Sequence, residues 1–131
     1  MVGRTVATVT LLEPLTWRFE FGAAERLNVE CLWRIVSDGR VQLTSDDHGQ
    51  LFGLQAPVDS GREAAELLAG MPVTSVEIRA STADLFIQFE SGTQLEIIPT
   101  SSGYEAWKIY GPDGSCHVAT GGGTICMWKS G

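Results

Sequence analysis

Asp46, Asp47 and His48 are the neighbours whose types and spacing come closest to a reactive site, since two carboxylates beside an imidazole can ligate a metal ion or relay a proton. The spacing works against a single site. On an extended segment adjacent side chains leave opposite faces, so Asp46 and His48 can converge while Asp47 needs a bend to join them. The stretch Asp46-Asp47-His48-Gly49-Gln50, lying between strands, reads by preference as a solvated turn. The other histidine, His117, falls in a predicted strand of the second half, and whether the fold brings it to His48 is left open. No metal and no cofactor is expected. A second constellation is Tyr104, Glu105 and Trp107, which follows the turn Ser101-Ser102-Gly103. A carboxylate beside an indole can act as a general acid or grip a polar ligand, and a core tryptophan with an edge carboxylate has the same pattern. Binding at this rim is the expectation, without catalytic residues. Serine-nucleophile logic fails, because no Gly-x-Ser-x-Gly occurs and neither histidine marks a base. Gly121-Gly122-Gly123 is followed by Ile125-Cys126-Met127-Trp128 rather than a phosphate-binding helix, so it reads as a tight turn.

The segments that must position these residues are strands. Residues 85–110 read as three consecutive antiparallel strands: Leu85, Ile87 and Phe89 alternate, Ser91-Gly92 turns the chain, and Leu95 and Ile97 alternate again. Pro99 ends the second strand, and the third is expected to start at Tyr104. Upstream, Trp17, Phe19 and Phe21 share a face, residues 22–26 read as a loop, and Leu27, Val29, Cys31, Trp33 and Ile35 alternate as one nine-residue strand.

The two stretches match in order. Phe19, Phe21 and Leu27 correspond to Ile87, Phe89 and Leu95; Trp33-Arg34-Ile35 corresponds to Trp107-Lys108-Ile109; and Asp38-Gly39 corresponds to Asp113-Gly114. The second unit carries about six extra residues before its tryptophan. An internal repeat of approximately 5–54 and 73–128 is expected, with a helix at approximately 60–69 between the units. A capping box at Ser60 and Glu63, with Asp59 as the competing cap, starts that helix; Gly70 and Pro72 stop it, and Leu67 and Leu68 are its docking face.

Length and composition bound the rest. At 131 residues the chain suits one domain, with a shared core of Trp17, Phe19, Trp33, Ile35, Leu85, Ile87, Phe89, Leu95 and Trp107. Nine basic against sixteen acidic residues give a net charge of -7, which argues against nucleic acid and anionic membranes. Cys31, Cys116 and Cys126 are odd in number, without CxxC spacing, and are expected as reduced core residues of a cytoplasmic protein. Trp128, on a terminal strand, is an oligomer-interface candidate for a homodimer.

The runs Leu67-Leu68-Ala69-Gly70-Met71-Pro72-Val73-Thr74-Ser75-Val76, Asp84-Leu85-Phe86-Ile87-Gln88-Phe89 and Gly103-Tyr104-Glu105-Ala106-Trp107 resemble a group of small bacterial domains of unknown function. Trp33-Arg34 and residues 45–54 resemble their first half. Such families are similar in size, acidity and β-rich build to the immunity proteins encoded beside bacterial toxins, which implies a function without catalytic residues. The fold class expected is α+β and β-rich: two related antiparallel meanders with one connecting helix in a single domain, 1–131. The function expected is a non-enzymatic, immunity-like module that binds a basic protein partner through an acidic face and the rim at Tyr104, Glu105 and Trp107. The alternatives are a small-molecule binding or hydrolytic domain with a pocket between the halves, using His48, Asp46 and Glu105, and a structural homo-oligomer.

Overall fold

The alternating segments fold into strands that each turn one face to a common core. The computed structural model describes residues 1–12, 15–22 and 24–129, the side chains of 128 and 129 excepted. In chain order its strands are β1 (Thr8–Leu12), β2 (Thr16–Phe21), β3 (Glu25–Val29), β4 (Leu32–Ser37) and β5 (Arg40–Thr44), then helix α1 (Ser60–Leu68). They continue with β6 (Val73–Ile78), β7 (Leu85–Phe89), β8 (Gln94–Ile98), β9 (Trp107–Tyr110), β10 (Ser115–Ala119) and β11 (Ile125–Lys129). Two antiparallel sheets result, one ordered β1-β2-β3-β9-β10-β11 and the other β5-β4-β8-β7-β6. The described residues form a compact, β-rich domain with one α-helix and no closed barrel.

Each sheet takes three consecutive strands from one half of the chain and continues with strands from the other. Leu27 lies opposite Ile109 and Val29 opposite Trp107 where β3 meets β9. Leu95 lies opposite Ile35 and Ile97 opposite Trp33 where β8 meets β4. All nine residues expected in the core are buried between the sheets, joined by Phe21, Leu27, Val29, Leu43 and Ile97.

Four expectations are corrected. The alternation from Leu27 to Ile35 is not one strand: β3 ends at Val29, β4 starts at Leu32, and the two belong to different sheets. Alternation reports only which side chains face the core, and the inner faces of both sheets satisfy it. The loop expected at 22–26 gives up its last two residues to β3, and the strand expected to start at Tyr104 begins at Trp107. At the helix, Asp59 rather than Ser60 is the cap: its Oδ1 accepts from the Arg62 N–H at 3.1 Å, while the buried Ser60 hydroxyl donates to the Thr44 carbonyl at 3.0 Å.

Helix α1 packs on β1 and β5, the edge strands of the two sheets, and so closes one flank of the core. Ala64 and Leu68 are buried there, whereas Leu67 stays exposed. Gly61 permits the approach, because a Cβ at that position would stand 2.9 Å from the Val9 carbonyl oxygen. The triple glycine is indeed a turn, with positive φ at Gly122 and Gly123, and it is wedged between other loops. A Cβ on Gly123 would overlap the Ser81 carbonyl, and one on Gly121 the backbone of Ser102 and Gly103. The buried carboxylate of Glu25 is neutralised by the Met1 amino group at 2.7 Å and by Arg4 Nε at 3.1 Å.

The two buried tryptophans at the starts of β4 and β9 differ in one respect. Trp107 Nε1 donates to the Ala83 carbonyl at 2.8 Å. Trp33 Nε1 has no hydrogen-bond partner among the described residues, and its ring packs edge-on against Trp17 and Phe19 at centroid distances of 5.3 Å. Removing the donor orphans a buried carbonyl in one case and relieves an unpaired N–H in the other. Trp107→Phe is therefore expected to cost about 1 kcal/mol more stability than Trp33→Phe. Urea unfolding of the two variants measures the difference, and equal losses would refute a contribution from the Ala83 hydrogen bond.

Candidate functional site

The chain crosses between sheets twice, at 30–31 and at 99–106, and the crossings are hydrogen-bonded: the Glu30 N–H donates to the Ala106 carbonyl at 2.8 Å. Beside them opens a cleft of about 510 Å³, lined by residues 15–16, 30–31, 100–101 and 104–106. The Ser101 hydroxyl oxygen accepts from the N–H groups of Gly103 at 3.1 Å and Tyr104 at 3.0 Å, which pins the turn and projects Tyr104 outward, 82 % exposed. Leu15, 75 % exposed, borders the same cleft.

Two carboxylates lie here in different states. Glu105 Oε2 stands 3.2 Å from Lys108 Nζ, and this hydrogen bond holds the lysine above its ordinary pKa. Glu30 is exposed and forms no ion pair among the described residues. Cys31 lies next to it, partly buried. Burial, followed by the negative charges of Asp84 and Glu30, pushes its thiol from 9.0 up to about 12. At neutral pH the cleft therefore presents a neutral sulfur beside carboxylates, and the thiol is not a nucleophile.

The expected rim divides at Trp107. Tyr104 and Glu105 line the cleft, while Trp107 points into the core. Sequence reasoning missed Leu15, Glu30 and Cys31. Within an unbroken alternation Glu30 is simply an outward position, and no residue marks the change of sheet there.

Asp46, Asp47 and His48 lie outside the cleft lining, and Asp47 and His48 have other partners. Asp47 belongs to a capping box with Thr44, in which its Oδ2 accepts from the Thr44 N–H at 3.0 Å and its own N–H donates to Thr44 Oγ1 at 3.2 Å. His48 Nδ1 accepts from the Ser60 N–H at 3.1 Å, and the ring meets Trp17 edge-on at 5.1 Å. Asp46 is exposed. Among the described residues no group of three or more His, Cys, Asp or Glu side chains is placed to hold a metal ion. His117 stands on the other flank, in β10, where it lines an apolar groove with Met1, Val2, Val76, Ile78 and Ile109. The cysteines are all free; Cys116 is buried, Cys31 partly buried, and Cys126 exposed, which corrects the expectation of three core thiols. The Trp128 side chain lies outside the described residues.

Two antiparallel sheets, one flank helix and a cleft at the crossings define a small β-rich α+β domain, with no helix among the described residues long and apolar enough to cross a membrane. The chain belongs to the family of unknown function DUF6188, whose model matches residues 1–129. This agrees with the resemblance to small domains of unknown function. No curated protein and no solved structure matches it.

His48→Ala removes an acceptor from the first turn of α1 and is expected to lower stability by about 1 kcal/mol. Asp46→Ala should change it by less than about 0.5 kcal/mol. Denaturant midpoints separate the two, and equal effects would remove His48 from the cap. For Cys31, the unfolded thiol ionises near 9.0 and the folded one only near 12. Between those values the unfolded state has lost a proton that the folded state keeps, so the contribution is complete below pH 9 and falls as pH rises toward 12. Wild type is expected to lose stability relative to Cys31→Val between pH 9 and 11, by the same unfolding assay; parallel pH profiles would show that the thiol does not titrate in this way.

Proposed function

We propose that the protein is a non-enzymatic, immunity-like binding module whose partner is a basic protein, and that the end of the sandwich bearing the cleft is its contact surface. The observation that carries this reading is Tyr104, an aromatic side chain held almost fully in solvent at the lip of a cleft that also bears Glu30 and Glu105. Exposed tyrosines supply large contact area for little conformational entropy, and the ordered turn beneath this one lowers that cost further. A net charge of -7 steers a basic partner toward such a surface and raises its on-rate. The free thiols are in keeping with a reducing, cytoplasmic setting. The matching strand registers of the two sheets support descent of the fold from an internal duplication of about 5–54 and 73–128.

A second reading is favoured by the cleft's volume: about 510 Å³ is room for a small cationic ligand beside the carboxylates.

Affinity capture at low and moderate salt, with identification of bound proteins and titration of the purified partner, tests both readings. The first expects a stoichiometric basic protein that is released by salt, with Glu30→Lys combined with Glu105→Lys weakening it at least tenfold. An unchanged affinity in that double variant would sink the first reading. Recovery of the protein alone, together with a thermal shift on adding small amines, would favour the second.

A further inference from the structure

We infer that the turn at 51–54 is an anchoring tip that inserts into an apolar pocket, rimmed by basic residues, on a protein partner. This inference rests on the protein-binding reading above. The turn is closed by the Leu54 N–H donating to the Leu51 carbonyl at 2.7 Å, and its central residues Phe52 and Gly53 both have positive φ, 46° and 79°. The base of its loop is tied by two hydrogen bonds of 2.8 Å, from the Gly49 N–H to the Val58 carbonyl and from the Val58 N–H to the Gln50 carbonyl. The tip is thus built and held outward.

Its residues are the wrong ones for stability. A turn with two left-handed positions is best served by Asn-Gly or Gly-Gly, and a bulky side chain at the first of them is strained. Phe52 recovers none of that strain by packing, being 69 % exposed, with Leu51 at 54 % and Leu54 at 57 %. A strained position that contributes nothing to the core points to a use outside the fold.

Charge and position identify the occupant. No charged residue occurs from Gly49 to Val58, whereas Asp46, Asp47 and Asp59 stand at the foot of the loop. An apolar centre with an acidic border complements a pocket with a basic rim, and it is repelled by anionic lipid and by a second copy of a chain carrying -7. The foot is also fixed at the end of the sandwich that bears the cleft. Ser45 Oγ accepts from the Trp33 N–H at 3.1 Å near the start of β4, and His48 packs on Trp17 near the start of β2; Cys31, two residues before Trp33, and Thr16, one before Trp17, line the cleft.

The test places a photo-reactive benzoyl-phenylalanine at position 52, 104 or 41 of the full chain in cells of its own source; Val41 is an exposed control on β5. The expected result is a discrete adduct at 52, absent at 41, to one protein whose cross-linked peptide carries apolar residues flanked by Lys or Arg. Adducts at 52 no more discrete than at 41, or adducts to lipid or to a second copy, overturn the proposal. An adduct at 52 that survives Glu30→Lys with Glu105→Lys keeps the tip and removes the cleft from the interface, and an adduct at 104 with none at 52 does the reverse. With the identified partner purified, Phe52→Asn is expected to bind at least tenfold more weakly while melting higher than wild type. Undiminished binding by that variant overturns the anchor.

Discussion

Strand exchange between the halves is the constraint on which the rest of this structure depends. Left to itself, β3 would keep a row of unpaired backbone donors and acceptors along one edge, and so would β8. The first edge is satisfied only by β9, which arrives from the far half of the chain, and the second by β4 from the near half. Neither half closes its own sheet. The core is consequently shared: most strand pairings join consecutive strands, but the two that link the halves, β3 with β9 and β4 with β8, join residues far apart in sequence, the kind of contact that slows folding.

The same constraint creates the surface of interest. A chain that must change sheets needs a crossing, and the two crossings are bonded to each other through Glu30 and Ala106. The first takes only residues 30–31, whereas the second runs from 99 to 106 and has room to turn Tyr104 outward over the Ser101 hydroxyl. Rigid strands on both sides fix the lip of the cleft. Loops placed on such a scaffold can carry exposed side chains at little further entropic cost.

Elsewhere several polar groups are occupied with one another. On the solvent face of the smaller sheet, Arg34 Nε donates to Glu96 at 2.6 Å, Gln94 donates to Glu96 at 2.6 Å, and Gln88 donates to Gln94 at 3.0 Å, a ladder that ties β4, β8 and β7 together. Glu25 is likewise consumed by Met1 and Arg4. The side chains of Glu30 and Tyr104, by contrast, make no hydrogen bond or ion pair among the described residues and are left to the cleft.

Much of this was legible in the sequence. Period-two alternation told which strand side chains are buried, since a residue in a pleated strand faces the core or solvent by parity alone, and the nine core residues expected from it, from Trp17 to Trp107, are all buried. The glycine turns and the helix between the halves were equally local matters, set by φ and by capping. Pairing is different. Parity is conserved when the chain steps from one sheet to the other, so the passage through Glu30 and Cys31 leaves no mark in the pattern, and the cleft beside it was invisible. Nor does type or spacing reveal that His48 spends its Nδ1 on the Ser60 N–H, or that Phe52 occupies a left-handed position. Those depend on where distant backbone lies. The sequence by itself determined which faces are apolar and where the chain turns, because both follow from neighbours a few residues apart; only the tertiary structure decided which strands meet and which side chains are left without a partner, because backbone hydrogen bonding between strands is nearly independent of side-chain identity.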